Sequence, residues 1–189
     1  MAIAFWFVSP GYWAFPLRVT PLSLLVGVVG AAVWIGLCQL DWEERLLPAV
    51  GLQWLLDATA RTDYDPFAHL GSNSPWLYAF LAFRLVGLAL VVPVMEEFFL
   101  RGFVMRIVAS SDWEKLPIGP MPIAGLVAGT LVPVMMHPAS EALAAIVWFS
   151  GVTWWMIRTR SIWDCIVVHA VTNLGLGIYV FATGDWRLL

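Results

Sequence analysis

Seven ionisable side chains and one amide stand inside otherwise apolar stretches of this sequence: Arg84, Glu96, Glu97, Arg101, His137, Asp164, His169 and Asn173. An ionisable group within a bilayer-spanning helix costs about 2.5–3.5 kcal/mol on insertion scales, so each one needs a partner or a task. Helical geometry sorts them, because successive residues turn by about 100° and only i, i+3 and i, i+4 pairs share a face. In "EEFFLR", residues 96–101, Glu97 and Arg101 are such a pair and are expected to form a buried ion pair. Glu96 sits about 140° from Arg101 on the same wheel, so its carboxylate is left for other work. In "HAVTN", His169 and Asn173 are again i, i+4 and point together, while His137 comes from a third segment.

Each of these has a bland reading taken singly. Glu97 with Arg101 is a structural salt bridge, a histidine at a helix end sits at the interface, and a lone asparagine joins helices by hydrogen bonding. Convergence favours chemistry, because a glutamate, two histidines and an amide are the parts of an acid–base site. Glu96, His137 and His169 also make a His2Glu zinc set with an open position for water. Cys165, one turn before His169, offers a thiol nucleophile, but neighbours four apart on one helix seldom align for proton transfer, and a free cysteine is usually a small packing residue. Asp164, close to the "RTRS" turn, is expected to cap a helix or pair with Arg158 or Arg160. Arg84 is expected to snorkel outward.

The elements that must position these groups follow from composition. The chain has 189 residues, 61% of them hydrophobic and only 12% charged, and a mean hydropathy of +0.82. Apolar runs of spanning length make it an integral membrane protein, an all-α polytopic transmembrane helical bundle with an intramembrane polar cavity. One domain over residues 1–189 is expected, with spans near 21–40, 76–108, 121–137, 141–157 and 162–184. The apolar stretch 1–9 reads as the remnant of a further span, with Trp6, Tyr12 and Trp13 marking an interfacial exit. Pro93 is expected to kink or open the helix three residues before Glu96. The acidic connection 41–75 carries an apolar stripe suited to lying along the interface. Net charge is −3 with no basic run, which argues against nucleic-acid binding. Cys38 and Cys165 have neither metal-type nor redox-type spacing.

Basic residues in short loops set orientation. Arg18, Arg106, Lys115, Arg158 and Arg160 gather on one side, expected to be cytoplasmic, against Arg45, Arg61 and Arg187 on the other. This arrangement puts Glu96 and His169 in the cytoplasmic half and His137 near the opposite surface, a conflict that periodicity leaves open.

Three motifs in order now carry a resemblance. "EEFFLR" is similar to the EExxxR motif, His137 to the second-motif histidine and "HAVTN" to the HxxxN motif of the CPBP (CAAX protease and bacteriocin-processing, or Abi) intramembrane endopeptidases. The likeness covers about residues 75–186, and "RTRSIWDCIVVHAVTNLGLGIYVFATGDW" resembles an exosortase-associated subgroup of CAAX-protease-related proteins. Pro133 stands where the family usually has phenylalanine, and the family usually has more spans than the five counted here. The resemblance implies a peptidase in which Glu96 is the general base, His137 holds the water, His169 and Asn173 stabilise the oxyanion, and Glu97 with Arg101 gives structural support. On that reading no cofactor is needed, while zinc on Glu96, His137 and His169 stays open as a metallopeptidase alternative. A non-catalytic membrane binding or immunity protein is the other class. The implied partners are the lipid bilayer and a membrane-associated peptide or protein, lipidated or bearing a sorting signal. The implied location is a bacterial inner membrane, with the chain crossing several times.

Overall fold

Apolar runs bounded by Pro, Ser, Asp and Gly become helices throughout residues 15–61 and 64–188, the parts of the chain that the computed structural model describes. The span remnant expected at 1–9 and the aromatic exit at 6–13 lie outside these residues. In chain order the α-helices are α1 (Leu22–Cys38), α2 (Trp42–Ala49), α3 (Gln53–Thr59), α4 (Pro66–Leu70), α5 (Pro75–Ala109), α6 (Ile123–Met136), α7 (Ala142–Thr159) and α8 (Ile162–Thr183). No strand occurs among the described residues. Their ends follow capping chemistry. The Ser74 side chain accepts from the Trp76 N–H with Pro75 in the first turn, and the Ser161 hydroxyl accepts from the Asp164 N–H. Gly184 ends α8 at φ 74°, a left-handed conformation that glycine adopts without steric cost.

The protein is an all-α helical membrane bundle. Three stretches, Pro75–Ala109, Ala139–Thr159 and Ile162–Thr183, are long and apolar enough to cross a bilayer, and α1 joins them if its 43° bend into α2 is counted as one span. Helix α6 differs from the span expected at 121–137. Pro122 sets its start and the His137–Pro138 step its end, leaving 14 residues, or about 21 Å against a hydrocarbon core of roughly 30 Å.

Helix α8 packs most extensively against α1, and small residues permit the close approach. A Cβ built on Gly27 would lie 2.9 Å from the Val168 carbonyl oxygen, and one on Gly30 would lie 2.7 Å from Thr172 Oγ1. Backbone approach of this kind is how helices associate where lipid competes equally for apolar side chains.

Of the two roles expected of Asp164, a cap or a partner for Arg158 or Arg160, the structure shows a cap, at the entry to α1. Asp164 meets neither Arg158 nor Arg160. Its carboxylate accepts from the Thr20 N–H and the Ser23 hydroxyl, each at 2.6 Å, and from Thr20 Oγ1 at 3.2 Å. It therefore holds the Thr20 N–H and the hydroxyls of Thr20 and Ser23 at the entry to α1, and the Trp155 indole donates to the same Ser23 hydroxyl at 3.0 Å. Asp164→Ala is expected to destabilise the bundle by about 1–3 kcal/mol for each donor left unpaired. Thermal unfolding in detergent measures this, and an unchanged midpoint would count against the cap.

Contacts among the loops mark the two ends of the bundle. Near one end the Ser161 hydroxyl donates to the Arg18 carbonyl and the Arg160 side chain lies against Gly119. Arg106 belongs to this end as a structural group, its guanidinium donating to the carbonyls of Gly102, Glu114 and Leu116. At the other end Asp41 meets Arg187 at 3.7 Å. There the acidic connection folds back as α2, α3 and α4. It is fastened by Leu143 N–H to Glu43 Oε1 at 2.6 Å, Ala139 N–H to Thr59 Oγ1 at 2.8 Å, and Arg61 to Glu141 at 3.2 Å.

Candidate active site

Helix α5 is not regular where the two glutamates sit. It opens into π-helix at Gly87–Val91 and again at Phe98–Val104, with the α-helical segment Val92–Glu97 between them. Such bulges are rare and are frequent at functional sites. Pro93 accounts for part of the first one, because it has no N–H to give. The Val92 N–H bonds five residues back to the Gly87 carbonyl, and in that register the Leu88 carbonyl would need the N–H of residue 93. Asn173 Nδ2 supplies the bond instead, at 2.9 Å from α8.

Glu97 and Arg101 form the expected ion pair, both side chains fully buried. The pair has a third member that helical periodicity did not reveal. Glu97 Oε2 takes the Arg101 guanidinium, while Glu97 Oε1 lies 2.9 Å from His169 Nδ1. This contact fixes the ring so that Nε2 faces Glu96, whose Oε2 is 3.9 Å away. Glu96 itself is partly open, with 37% of its side chain exposed.

His137 follows the last turn of α6. Its N–H bonds to the Val134 carbonyl and its Nδ1 donates to the Pro133 carbonyl at 2.7 Å. The residue at which this chain departs from the family pattern thus supplies the acceptor that orients the histidine. With Nδ1 donating, Nε2 is an acceptor. The end of α6 brings His137 to the same cavities as Glu96.

The structure brings Glu96, His137, His169 and Asn173 around one cavity of about 170 Å³. Arg61 and Glu141 line the same space, and Arg61 also borders the two neighbouring cavities. Aromatic rings wall the histidines: Trp148 stands 4.7 Å from the His169 ring, and Trp34 and Phe149 each 5.4 Å from the His137 ring. The Trp148 indole donates to Thr172 Oγ1, which donates in turn to the Gly27 carbonyl. Sequence reading missed Arg61, Glu141, Trp34, Trp148 and Phe149. An arginine in a polar connection and aromatics in apolar helices carry no local signal of a site, so only their position after folding marks them.

Cys165 is fully buried, with its Sγ bonded to the Ser161 carbonyl, and it does not line this cavity. Among the described residues no group of three His, Cys, Asp or Glu side chains is arranged to hold one metal ion. Arg84 is partly exposed, its guanidinium 5.8 Å from the centre of the Phe80 ring.

The fold is thus a helical membrane bundle in which a partly exposed carboxylate, two histidines and an amide line one cavity. Residues 76–175, more than half of the chain, match the family model described as Type II CAAX prenyl endopeptidase Rce1-like, and the chain belongs to that family. It is therefore a CAAX-protease-like intramembrane peptidase, an integral membrane protein whose substrates are membrane-associated peptides. All four of the converging residues lie within the matched stretch. No curated protein and no solved structure matches the chain.

Proposed function

We propose that this chain is a glutamate-type endopeptidase that hydrolyses a peptide bond of a lipidated or sorting-signal-bearing protein within a bacterial inner membrane that it crosses several times. The observation that carries this reading is the meeting of Glu96, His137 and His169 at one cavity, with Glu97 holding His169 from behind. A water between Glu96 and His137 gives a proton to Glu96 and a second hydrogen bond to His137 Nε2. The resulting hydroxide adds to the scissile carbonyl carbon. The oxygen that becomes negative takes hydrogen bonds from His169 Nε2–H and from the Asn173 amide hydrogen not used on Leu88. Collapse breaks the C–N bond, and the leaving amine takes the proton from Glu96.

With His169 Nδ1 set against Glu97 Oε1, the oxyanion donor in this reading is Nε2–H. Glu97 and Arg101 support the site, and Glu97 also orients the histidine. The exosortase-associated likeness of residues 158–186 directs the choice of substrates toward sorting-signal proteins.

The test is cleavage of membrane-anchored peptides, prenylated, unprenylated and sorting-signal-bearing, by the purified chain in liposomes with and without a strong chelator. Hydrolysis that survives chelation is the expected result. Loss on chelation with recovery on adding zinc would favour a metal held by Glu96, His137 and His169. No hydrolysis of any peptide would favour a binding protein.

A further inference from the structure

The match between Pro93, Leu88 and Asn173 has a chemical consequence for the site. Asn173 is 8% exposed and lines the cavity, and its amide nitrogen carries two hydrogens. One is committed to the Leu88 carbonyl at 2.9 Å. That carbonyl needs it because the only backbone N–H that could reach it in the local π register belongs to residue 93, which is proline. In the α register its donor would be Val92, whose N–H is held by Gly87. Leu88 is half-buried, and a carbonyl left without a donor in a membrane-spanning helix is costly. The amide is thus anchored by one hydrogen, and the other is held in a fixed direction.

We propose that Pro93 is a positioning residue for catalysis: by withholding an N–H it keeps the Leu88 carbonyl as the anchor that aims the Asn173 amide into the cavity beside Glu96. This inference rests on the reading of Asn173 as an oxyanion donor. In it the proline has a role beyond bending the helix. It converts an intrahelical bond of α5 into a cross-helix bond to α8, so the aim of a side chain on one helix is set by a missing backbone donor on another. The same bond ties the level of Asn173 on α8 to that of Glu96, eight residues after Leu88 on α5.

A double-mutant cycle with Pro93→Ala and Asn173→Ala tests this on the full chain in liposomes, read by thermal unfolding and by kcat and KM separately. Pro93→Ala restores an N–H that competes for the Leu88 carbonyl. It is expected to lower kcat about tenfold or more with KM within about twofold, as for an interaction made only in the transition state, and to leave the midpoint equal or higher. Asn173→Ala orphans the carbonyl, so it is expected to lower the midpoint and to reduce kcat by about 10²-fold or more. Adding Pro93→Ala to Asn173→Ala is expected to recover the midpoint and not kcat. Unchanged kcat in Pro93→Ala overturns the proposal, and so do strictly additive midpoints. Coupled midpoints with Asn173→Ala fully active leave the anchor standing and overturn the oxyanion reading, and with it the catalytic role of Pro93.

Discussion

Glu96→Gln is expected to lower the rate of peptide hydrolysis by about 10²–10⁴-fold while the protein unfolds at nearly the wild-type temperature. The side chain is the only one of the two adjacent carboxylates that faces the cavity with solvent access, 37% exposed against 0% for Glu97. Its nearest ionic neighbour, His169 Nε2, is 3.9 Å away, too far for a hydrogen bond that stability would depend on. Glutamine keeps the size and most of the hydrogen bonding and removes the base. Single-turnover hydrolysis in liposomes gives the rate, and thermal unfolding of the same preparation shows whether the bundle is intact. Turnover near the wild-type value would end the case for Glu96 as the group that activates water.

Arg101→Met is expected to have the largest effect on stability, a loss of about 3–5 kcal/mol. It leaves the Glu97 carboxylate in a place where neither partner of the ion pair has any exposed surface. The desolvation cost of that carboxylate then falls to His169 alone, through the contact at Nδ1. The guanidinium is itself only partly satisfied, since Nε and Nη2 have no hydrogen-bond partner among the described residues. Removing both charges should therefore be far gentler than removing one, because no uncompensated buried charge is left behind. The double variant Glu97→Gln, Arg101→Met is expected to recover most of the stability and little of the activity, as His169 keeps its packing and loses the charge that orients it. Chemical denaturation of both variants, with activity measured per folded molecule, separates the two effects. A single variant that unfolds like the wild type would show that the pair is not the keystone its burial suggests.

These two residues also show what can be read from sequence in a membrane bundle. The 3.6-residue period fixes which side chains share a helix face, so Glu97 with Arg101, and His169 beside Asn173, were legible from spacing alone. The same period left Glu96 without the arginine as its partner. Hydropathy located the helices, and the order of three motifs pointed to the family that residues 76–175 match. Asp164 shows the limit. Its charge demanded a partner, and the nearest candidates in sequence were arginines, yet it bonds to the start of α1, 144 residues away at Thr20.

By itself, then, the sequence determined the helical class, the membrane setting, the local pairs and the identity of the polar residues that needed a task. Tertiary structure alone decided their second partners: Glu97 on His169, 72 residues apart, and Asn173 on Leu88, 85 residues apart. It also decided that the end of α6 would bring His137 to the cavity of Glu96. The reason is that a helix fixes the angles between its own side chains, whereas its rotation and depth against a neighbour are set by contacts such as Gly27 on Val168 and by an opened turn at Pro93. Those contacts depend on residues far apart in the chain, and no local period records them.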